Sequence, residues 1–353
     1  LCLHIYKYSY IIIIKTTIKH NPKRGKMKYI QHDELGNPAE VLKVMEAPQQ
    51  ALAAGEVRVK VLAAPIHPSN LLQISGLYGV KPELPAHPGS EGIGQVLEVA
   101  NDVSQLQTGQ RVMLAGGATW REELVGPAAG FIPLPDVGDA EQMSMLTVNP
   151  LTAYLMLNNF VDLKPGDWII QSAANSAVGE YLIQLAKQRG LKTVNIVRRA
   201  SLVAELEALG GDVVLTDDDG LAQRIASATN NAEISLAIDA VGGATFSHLV
   251  DALALGGTIV AYGSLSMQPP ALSSMAIIFN DVRVRGFWLS KWFEVASPED
   301  KQAAFGEVIQ LVASGALKAK IDSRFTIDQV GAAVTRAGES GRSGKVLFVA
   351  AAD

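Results

Sequence analysis

Cysteine is almost absent from this sequence: Cys2 is the only one among 353 residues. An internal disulfide and any multi-cysteine zinc site are thereby excluded, and the cytosol is the expected compartment. Histidine is sparse too. None of His4, His20, His32, His67, His87 and His248 falls at H-x-x-H or H-E-x-x-H spacing, so no metal site is expected. His87 and Glu91 stand four apart in "HPGSEGIG", but Pro88, Gly89, Gly92 and Gly94 make that stretch a turn rather than a helix, and the pair reads as structural. There is no G-x-S-x-G elbow, so covalent hydrolysis has little support. Basic charge is short: seven of the 30 basic residues lie in the acid-free segment 1–28, leaving 23 against 35 acidic residues in the remainder. A nucleic-acid partner is not expected for such a body. Finally, no apolar run reaches the ~18–20 residues of a membrane span; the "YIIIIK" segment is far shorter.

What is present is an apolar content of 48% with only 18% charged residues, enough for a large packed core, and a length that suggests two domains. "MKYIQHDELG", from Met27, reads as the start of the folded part, with residues 1–26 as an upstream extension and a targeting segment as the alternative. From there to residue 148 the pattern is β-rich and suits a compact, partly barrel-like domain. "EVRVKVLAAPIH" alternates apolar and polar, and "GIGQVLEVA" and "QRVMLAGG" follow between polar turns. Residues 149–286 change character. Strands such as "DWIIQS", "KTVNIVRR", "DVVLT" and "TIVAYGS" alternate with helices such as "AVGEYLIQLAKQRG" and "ASLVAELEALGG". That alternation predicts an α/β doubly wound parallel sheet. Residues 287–353, with a helix from Pro298 to Gly315 and a final strand "GKVLFV", are expected to return to the first domain.

The candidate cofactor turn is "QSAANSAVGE", Gln171–Glu180, between a strand and a helix. Only Gly179 survives of a G-x-G-x-x-G fingerprint. Ala173 and Ala174 are nevertheless small enough for close backbone approach. Asn175 tolerates unusual backbone angles, and Asn175 or Ser176 can donate to phosphate. An NAD-preferring site often places an acid about 20 residues on. Here Arg198 and Arg199 stand at the end of the next strand, and guanidinium groups welcome a 2′-phosphate, which favours NADP(H). Reduction through a nicotinamide needs a positioned ring, a substrate pocket and often one proton donor. Tyr78, in the Gly/Pro-rich loop "QISGLYGVKPELP", is the candidate donor; a packing or surface ring is the plainer alternative at this point.

These segments together resemble the medium-chain dehydrogenase/reductase superfamily. Among its zinc-free members they are most similar to the mitochondrial-type trans-2-enoyl-CoA (enoyl thioester) reductases and their bacterial relatives. The resemblance is carried by "APIHPSNLLQISGLYGVKPELPAHPGSEGIG", "GGATWREE", "VNPLTAY", "GDWIIQSAANSAVG", "VNIVRRA" and "RVRGFWLSKW", and it extends from Met27 to the C-terminus. It implies a Rossmann NADP-binding domain beside a GroES-like catalytic domain, with NADPH-dependent reduction of trans-2-enoyl thioesters on CoA or acyl-carrier protein. It also implies a homodimer. By position, Tyr78 matches the catalytic tyrosine and Asn149 a cofactor contact near the nicotinamide. Asn175, Ser176, Ala177 and Val178 match the pyrophosphate turn. Arg198 and Arg199 match the 2′-phosphate region; members often read R-D-R there, so Ala200 replaces one expected contact. Tyr262, Gly263, Ser264 and Leu265 match one cofactor segment, Phe287, Trp288 and Leu289 another, and Lys345 a late cofactor contact. Trp288 has a plain core role as its alternative. Arg121 and Lys291 are further candidates to meet a CoA or phosphopantetheine phosphate. The sequence departs from the family at His67, where asparagine commonly precedes Pro-Ser, and Ser90 replaces the histidine of the zinc-dependent G-H-E. The alternative activities are an NADPH:quinone or other activated-alkene reductase, and a cofactor-binding protein without turnover.

Overall fold

The computed structural model describes residues 25–351, so most of the predicted extension lies outside the described residues. Lys26, assigned to that extension from sequence, opens the first strand and pairs with Pro48. The chain divides into two compact units, residues up to 148 with 296 onward, and residues 149–295. The sequence reading closed the second unit at 286; residues 287–295 belong to it as well.

The first unit begins with an antiparallel pair, β1 (Lys26–Gln31) and β2 (Lys43–Pro48), around the short helix α1 (Pro38–Val41). Next come β3 (Glu56–Pro65), α2 (Pro68–Ile74), β4 (Gly92–Val99), β5 (Arg111–Leu114), β6 (Glu123–Pro127), β7 (Phe131–Pro133) and α3 (Ala140–Met143). Alternation along β3 puts Val57, Val59 and Val61 into one core, where Val96 of β4 joins them. Trp120 packs edge-on against Phe348, ring centroids 5.1 Å apart, and its indole N–H donates to Pro65 O at 3.3 Å.

The second unit is built from α4 (Asn149–Asn158), β8 (Trp168–Gln171), α5 (Ala177–Gln188), β9 (Lys192–Val197), α6 (Val203–Leu209), β10 (Val213–Thr216), α7 (Leu221–Ala228), β11 (Ile234–Asp239), α8 (Gly243–Asp251), β12 (Thr258–Ala261), α9 (Ser274–Asn280), β13 (Arg283–Gly286) and α10 (Leu289–Val295). Its six strands run parallel in the order β10-β9-β8-β11-β12-β13. Ile169, Ile170, Val194, Ile196, Leu236, Ile238, Ile259 and Val260 are buried, the near-continuous apolar strands of a sheet covered on both faces. The order reverses between β8 and β11. That is the topological switch point, where ligands of such sheets bind beyond the carboxyl ends of the strands.

The chain then returns to the first unit through α11 (Pro298–Ala313), β14 (Ile321–Phe325), α12 (Val330–Gly338) and β15 (Lys345–Val349). The larger sheet of that unit reads β14-β15-β3-β4-β5-β7, with β6 also paired to β3. Ser297 starts α11 by accepting from Asp300 N at 3.0 Å.

Candidate functional site

In the second unit the predicted cofactor segments leave the carboxyl ends of neighbouring strands. Register pairs Gln171 with Asn195 on one side and Ile238 on the other. It then pairs Asp239 with Ala261 and Ala261 with Gly286. Five strands therefore end nearly level, and the turns beyond them form one edge. The 172–176 turn is fixed on both flanks: Ser172 N donates to Ile238 O at 3.0 Å and Ala174 N to Ile196 O at 3.1 Å. Ala173 takes a left-handed φ of 48°, and Ser176 N closes the turn onto Ala173 O at 2.8 Å. Ser176 caps α5 by accepting from Gly179 N at 3.1 Å. Below the turn, the buried Gln171 amide donates to Gly179 O at 3.0 Å and to Asn195 Oδ1 at 2.8 Å.

Asp239 is wholly buried. It accepts from Ser172 Oγ at 2.6 Å, Val241 N at 3.0 Å and Gly242 N at 2.8 Å. These bonds tie the end of β11 to the turn after β8. Tyr262 follows β12, where its N–H donates to Asp239 O at 2.9 Å. Its phenol lies beside the Ser176 side chain, and burial pushes the phenol pKa up against the pull of Ser176, so the phenol stays neutral. Tyr262 and Ser176, 86 positions apart in sequence, thus meet at the start of α5. Gly263 has no room for a side chain, since a Cβ would lie 2.8 Å from Ala240 O. Leu265 N donates to that same oxygen at 2.9 Å, and Ser264 and Leu265 are exposed.

Arg198, Arg199 and Ala200 lie exposed just past β9. Among the described residues neither guanidinium makes a hydrogen bond or ion pair. Phe287 follows β13, its N–H donating to Ala261 O at 2.9 Å, with its ring edge-on to Phe160 at 6.2 Å. Trp288 is 40% exposed, so it is not a core residue, and Leu289 starts α10. Asn149 is buried at the start of α4. Ala177 and Val178 form the first turn of α5. The donor set suits a pyrophosphate at a helix N-terminus, with a cationic pair beyond the next strand for a further phosphate. The residues of this unit therefore fit NADP(H).

The first unit carries the other two predicted residues. Tyr78 is half-buried in the loop after α2, its N–H donating to Leu72 O at 3.1 Å. Lys345 is buried at the start of β15; its amine donates to Ile66 O at 3.0 Å and to His67 Nδ1 at 3.1 Å. Since Nδ1 accepts, the His67 ring proton sits on Nε2, which meets Glu91 Oε1 at 2.7 Å. The other carboxylate oxygen accepts from Thr147 N at 2.6 Å and Val148 N at 3.0 Å. Desolvation brings the Lys345 pKa down to about 7, with Glu91 opposing and Arg342 assisting. His67 is lowered too, by desolvation and then Lys345, against the pull of Glu91.

Sequence spacing set His87 beside Glu91, but the structure separates their roles. His87 Nδ1 lies 3.4 Å from Ile30 O and its ring packs edge-on to Tyr29. Lys291 is tied to Glu294 at 2.6 Å. Arg121 lies over the Tyr29 ring at 5.9 Å, and burial lowers its pKa to about 10. Among the described residues no group of three or more His, Cys, Asp or Glu is placed to hold a metal ion, and no helix is long and apolar enough to cross a membrane.

Comparison with known proteins agrees with this layout. Residues 53–136 match the alcohol dehydrogenase GroES-like domain and residues 177–314 the zinc-binding dehydrogenase family. The mitochondrial enoyl-[acyl-carrier-protein] reductase of Rattus norvegicus is 40% identical over 291 residues, covering 80% of this chain and 78% of the relative. Among solved structures, the Etr1p complex with NADP and crotonyl-CoA superposes with a TM-score of 0.85 at 27% identity, over 92% of this chain and all of that one. A quinone oxidoreductase of Pseudomonas syringae gives 0.79 at 25% identity, again over 92% of this chain and all of the other.

Proposed function

The chain belongs to the medium-chain dehydrogenase/reductase superfamily, among its zinc-free enoyl thioester reductases, and from that premise we propose that it reduces trans-2-enoyl thioesters with NADPH. The observation that carries the reading is the meeting of Tyr262 and Ser176 at the start of α5, with the exposed Arg198–Arg199 pair beyond the adjacent strand. When bound, the reduced nicotinamide supplies a hydride to the substrate's β-carbon. The protein's own part is to bind, orient and donate. Asn175, Ser176, Ala177 and Val178 present the turn and helix N-terminus to the pyrophosphate, and Arg198 and Arg199 take the 2′-phosphate. Ala200 and the segments Tyr262–Leu265 and Phe287–Leu289 line the cofactor, with Asn149 at its nicotinamide side and Lys345 as a late contact. As the β-carbon becomes saturated, negative charge gathers on the thioester oxygen. A donor placed there stabilises the transition state more than the ground state. The Tyr78 phenol is that donor, and a proton delivered from it to the α-carbon, directly or through water, completes the saturated acyl thioester.

The chain acts as a homodimer in this reading. Strand β13 is an open sheet edge with Val284 exposed, and beside it in sequence α9 exposes Met275, Ile277, Ile278 and Phe279. An unprotected edge next to apolar side chains is suited to pairing with a second copy. With its single cysteine it is assigned to the cytosol, whereas the rat relative is named as mitochondrial. Cell fractionation decides between the two compartments.

One panel tests the activity: NADPH and NADH, each with crotonyl-CoA, a longer enoyl-CoA, an enoyl-carrier protein and a quinone. NADPH oxidation with the thioesters is the expected result. Quinone reduction without thioester turnover would overturn the reading, and light scattering after chromatography tests the dimer.

A further inference from the structure

The buried line Lys345–His67–Glu91 ends on the backbone, and where it ends is informative. One carboxylate oxygen of Glu91 receives two successive peptide N–H groups, those of Thr147 and Val148. These are the last two residues of the first unit's opening segment, and Asn149 follows as the first residue of the second unit. Glu91 has no solvent exposure and His67 and Lys345 almost none. Burying such charged and polar groups is costly unless each is hydrogen-bonded in good geometry. Here each is satisfied in sequence: the amine donates to the imidazole, the imidazole to the carboxylate, and the carboxylate accepts from the two amides. The Glu91 backbone is held as well, its carbonyl accepting from Thr119 Oγ1 at 2.8 Å. The preceding turn leaves no latitude: a Cβ on Gly89, at φ +105°, would lie 2.4 Å from that same hydroxyl. His67 is anchored by its own N–H, which donates to Asn70 Oδ1 at 2.9 Å, and Asn70 in turn donates to Ser90 Oγ at 2.7 Å.

Two charge-assisted bonds, donated by adjacent amides to one carboxylate oxygen, hold the Thr147 and Val148 peptides in one orientation. An apolar contact at the same place would bury surface without fixing direction. We infer that Glu91, aligned by His67 and Lys345, is a positioning residue for Asn149: it holds the Thr147–Val148 peptides so that the Asn149 side chain is presented in one orientation. The inference rests on the reading of Asn149 as a cofactor contact and goes beyond it, because Glu91 need touch neither cofactor nor substrate.

The test is a double-mutant cycle on the unliganded full chain, with the Kd for NADPH read by nicotinamide fluorescence and hydrogen exchange followed at the amides of residues 147 and 148. Glu91→Gln replaces one acceptor oxygen by an N–H group and breaks the line. It is expected to speed exchange at Thr147 and Val148 and to raise Kd about tenfold. Asn149→Ala is expected to raise Kd about tenfold with exchange at Thr147 unchanged. The double variant should stay within about threefold of either single one. Independent effects, a loss near a hundredfold in the double variant, would overturn the inference, as would wild-type Kd in a folded Glu91→Gln. Wild-type Kd in Asn149→Ala would remove Asn149 from the cofactor contacts and the inference with it. Arg198→Ala, measured alongside, reports whether the NADPH reading itself still stands. Should Glu91→Gln fail to fold, Glu91→Asp enters the cycle: it keeps the negative charge but draws the carboxylate back from the two amides by one methylene, and the same non-additivity with Asn149→Ala is expected. Additive effects there overturn the inference equally.

Discussion

Gly179 stands against the backbone of Ala174 so closely that a methyl group on its α-carbon would lie 2.5 Å from the Ala174 carbonyl oxygen and 2.7 Å from the carbonyl carbon. The atoms in the way are backbone, so no rotamer change relieves the clash. Gly179→Ala is therefore expected to push α5 away from β8. The estimated cost is about 1–3 kcal/mol of stability, the range for overpacking a close-packed site. The same shift stretches the Gly179 N–H to Ser176 bond that caps the helix. The expected outcome is a lower melting temperature together with a Kd for NADPH at least tenfold weaker. Wild-type values for both would mean that the turn yields without cost.

Arg198 and Arg199 present exposed guanidinium groups just past β9. Their partner in the proposed function is the 2′-phosphate, so the effect of removing them depends on the cofactor. Arg198→Ala is expected to weaken NADPH binding about 10- to 100-fold and NADH binding by less than about threefold, from the loss of a charge-assisted bond. The check is a pair of fluorescence titrations with the two nucleotides. Equal losses for both would place Arg198 in general packing of the turn.

The turn and its arginines were legible in sequence because they are local. Strand, small-residue turn, capping serine and helix occupy neighbouring positions, and Arg198 ends the very next strand. The helix after Ser297 was legible for the same reason, with its end set two residues late: α11 stops at Ala313, and Gly315 lies beyond it at a left-handed φ of 75°. The His67–Glu91–Lys345 line was not legible. His67 and Glu91 are 24 positions apart and His67 and Lys345 are 278 apart, so only the pairing of β15 with β3 brings them together. Spacing alone offered His87 as the neighbour of Glu91, because four residues is a meaningful interval on a helix and this segment is a turn. One signal did point the right way: His67 stands at the position where the family commonly has asparagine, and it is the residue that joins the buried amine to the buried carboxylate.

Tyr78→Phe removes one hydroxyl from a half-buried ring in a loop, so stability should change little. If Tyr78 donates to the thioester oxygen, kcat with enoyl thioesters falls about 100-fold, the scale seen when a single transition-state donor is lost. The Kd for NADPH stays within about twofold, because the hydroxyl acts on substrate. The measurement is steady-state turnover of crotonyl-CoA beside a nucleotide titration. Near wild-type turnover would take Tyr78 out of the chemistry.

Lys345 gives a pH dependence with a definite sign. Burial lowers its amine pKa from 10.5 to about 7 in the folded protein, while the unfolded chain keeps the ordinary value near 10.4. Above that value the amine is neutral in both states and carries no penalty. Between about 7 and 10.4 the unfolded chain holds a proton that the folded chain lacks, so stability falls as pH falls, by roughly 1.4 kcal/mol per unit at most. Below about 7 both states are protonated and this contribution levels off. His67, lowered from 6.5 by the same burial, adds a further loss of the same sign only below pH 6.5. Lys345→Met removes the first contribution and leaves the second. Urea unfolding of the wild type and of Lys345→Met at pH 7, 8 and 9 is expected to show the wild type gaining on the variant with each step upward. Parallel curves would mean that the Lys345 amine stays charged in the fold across this range.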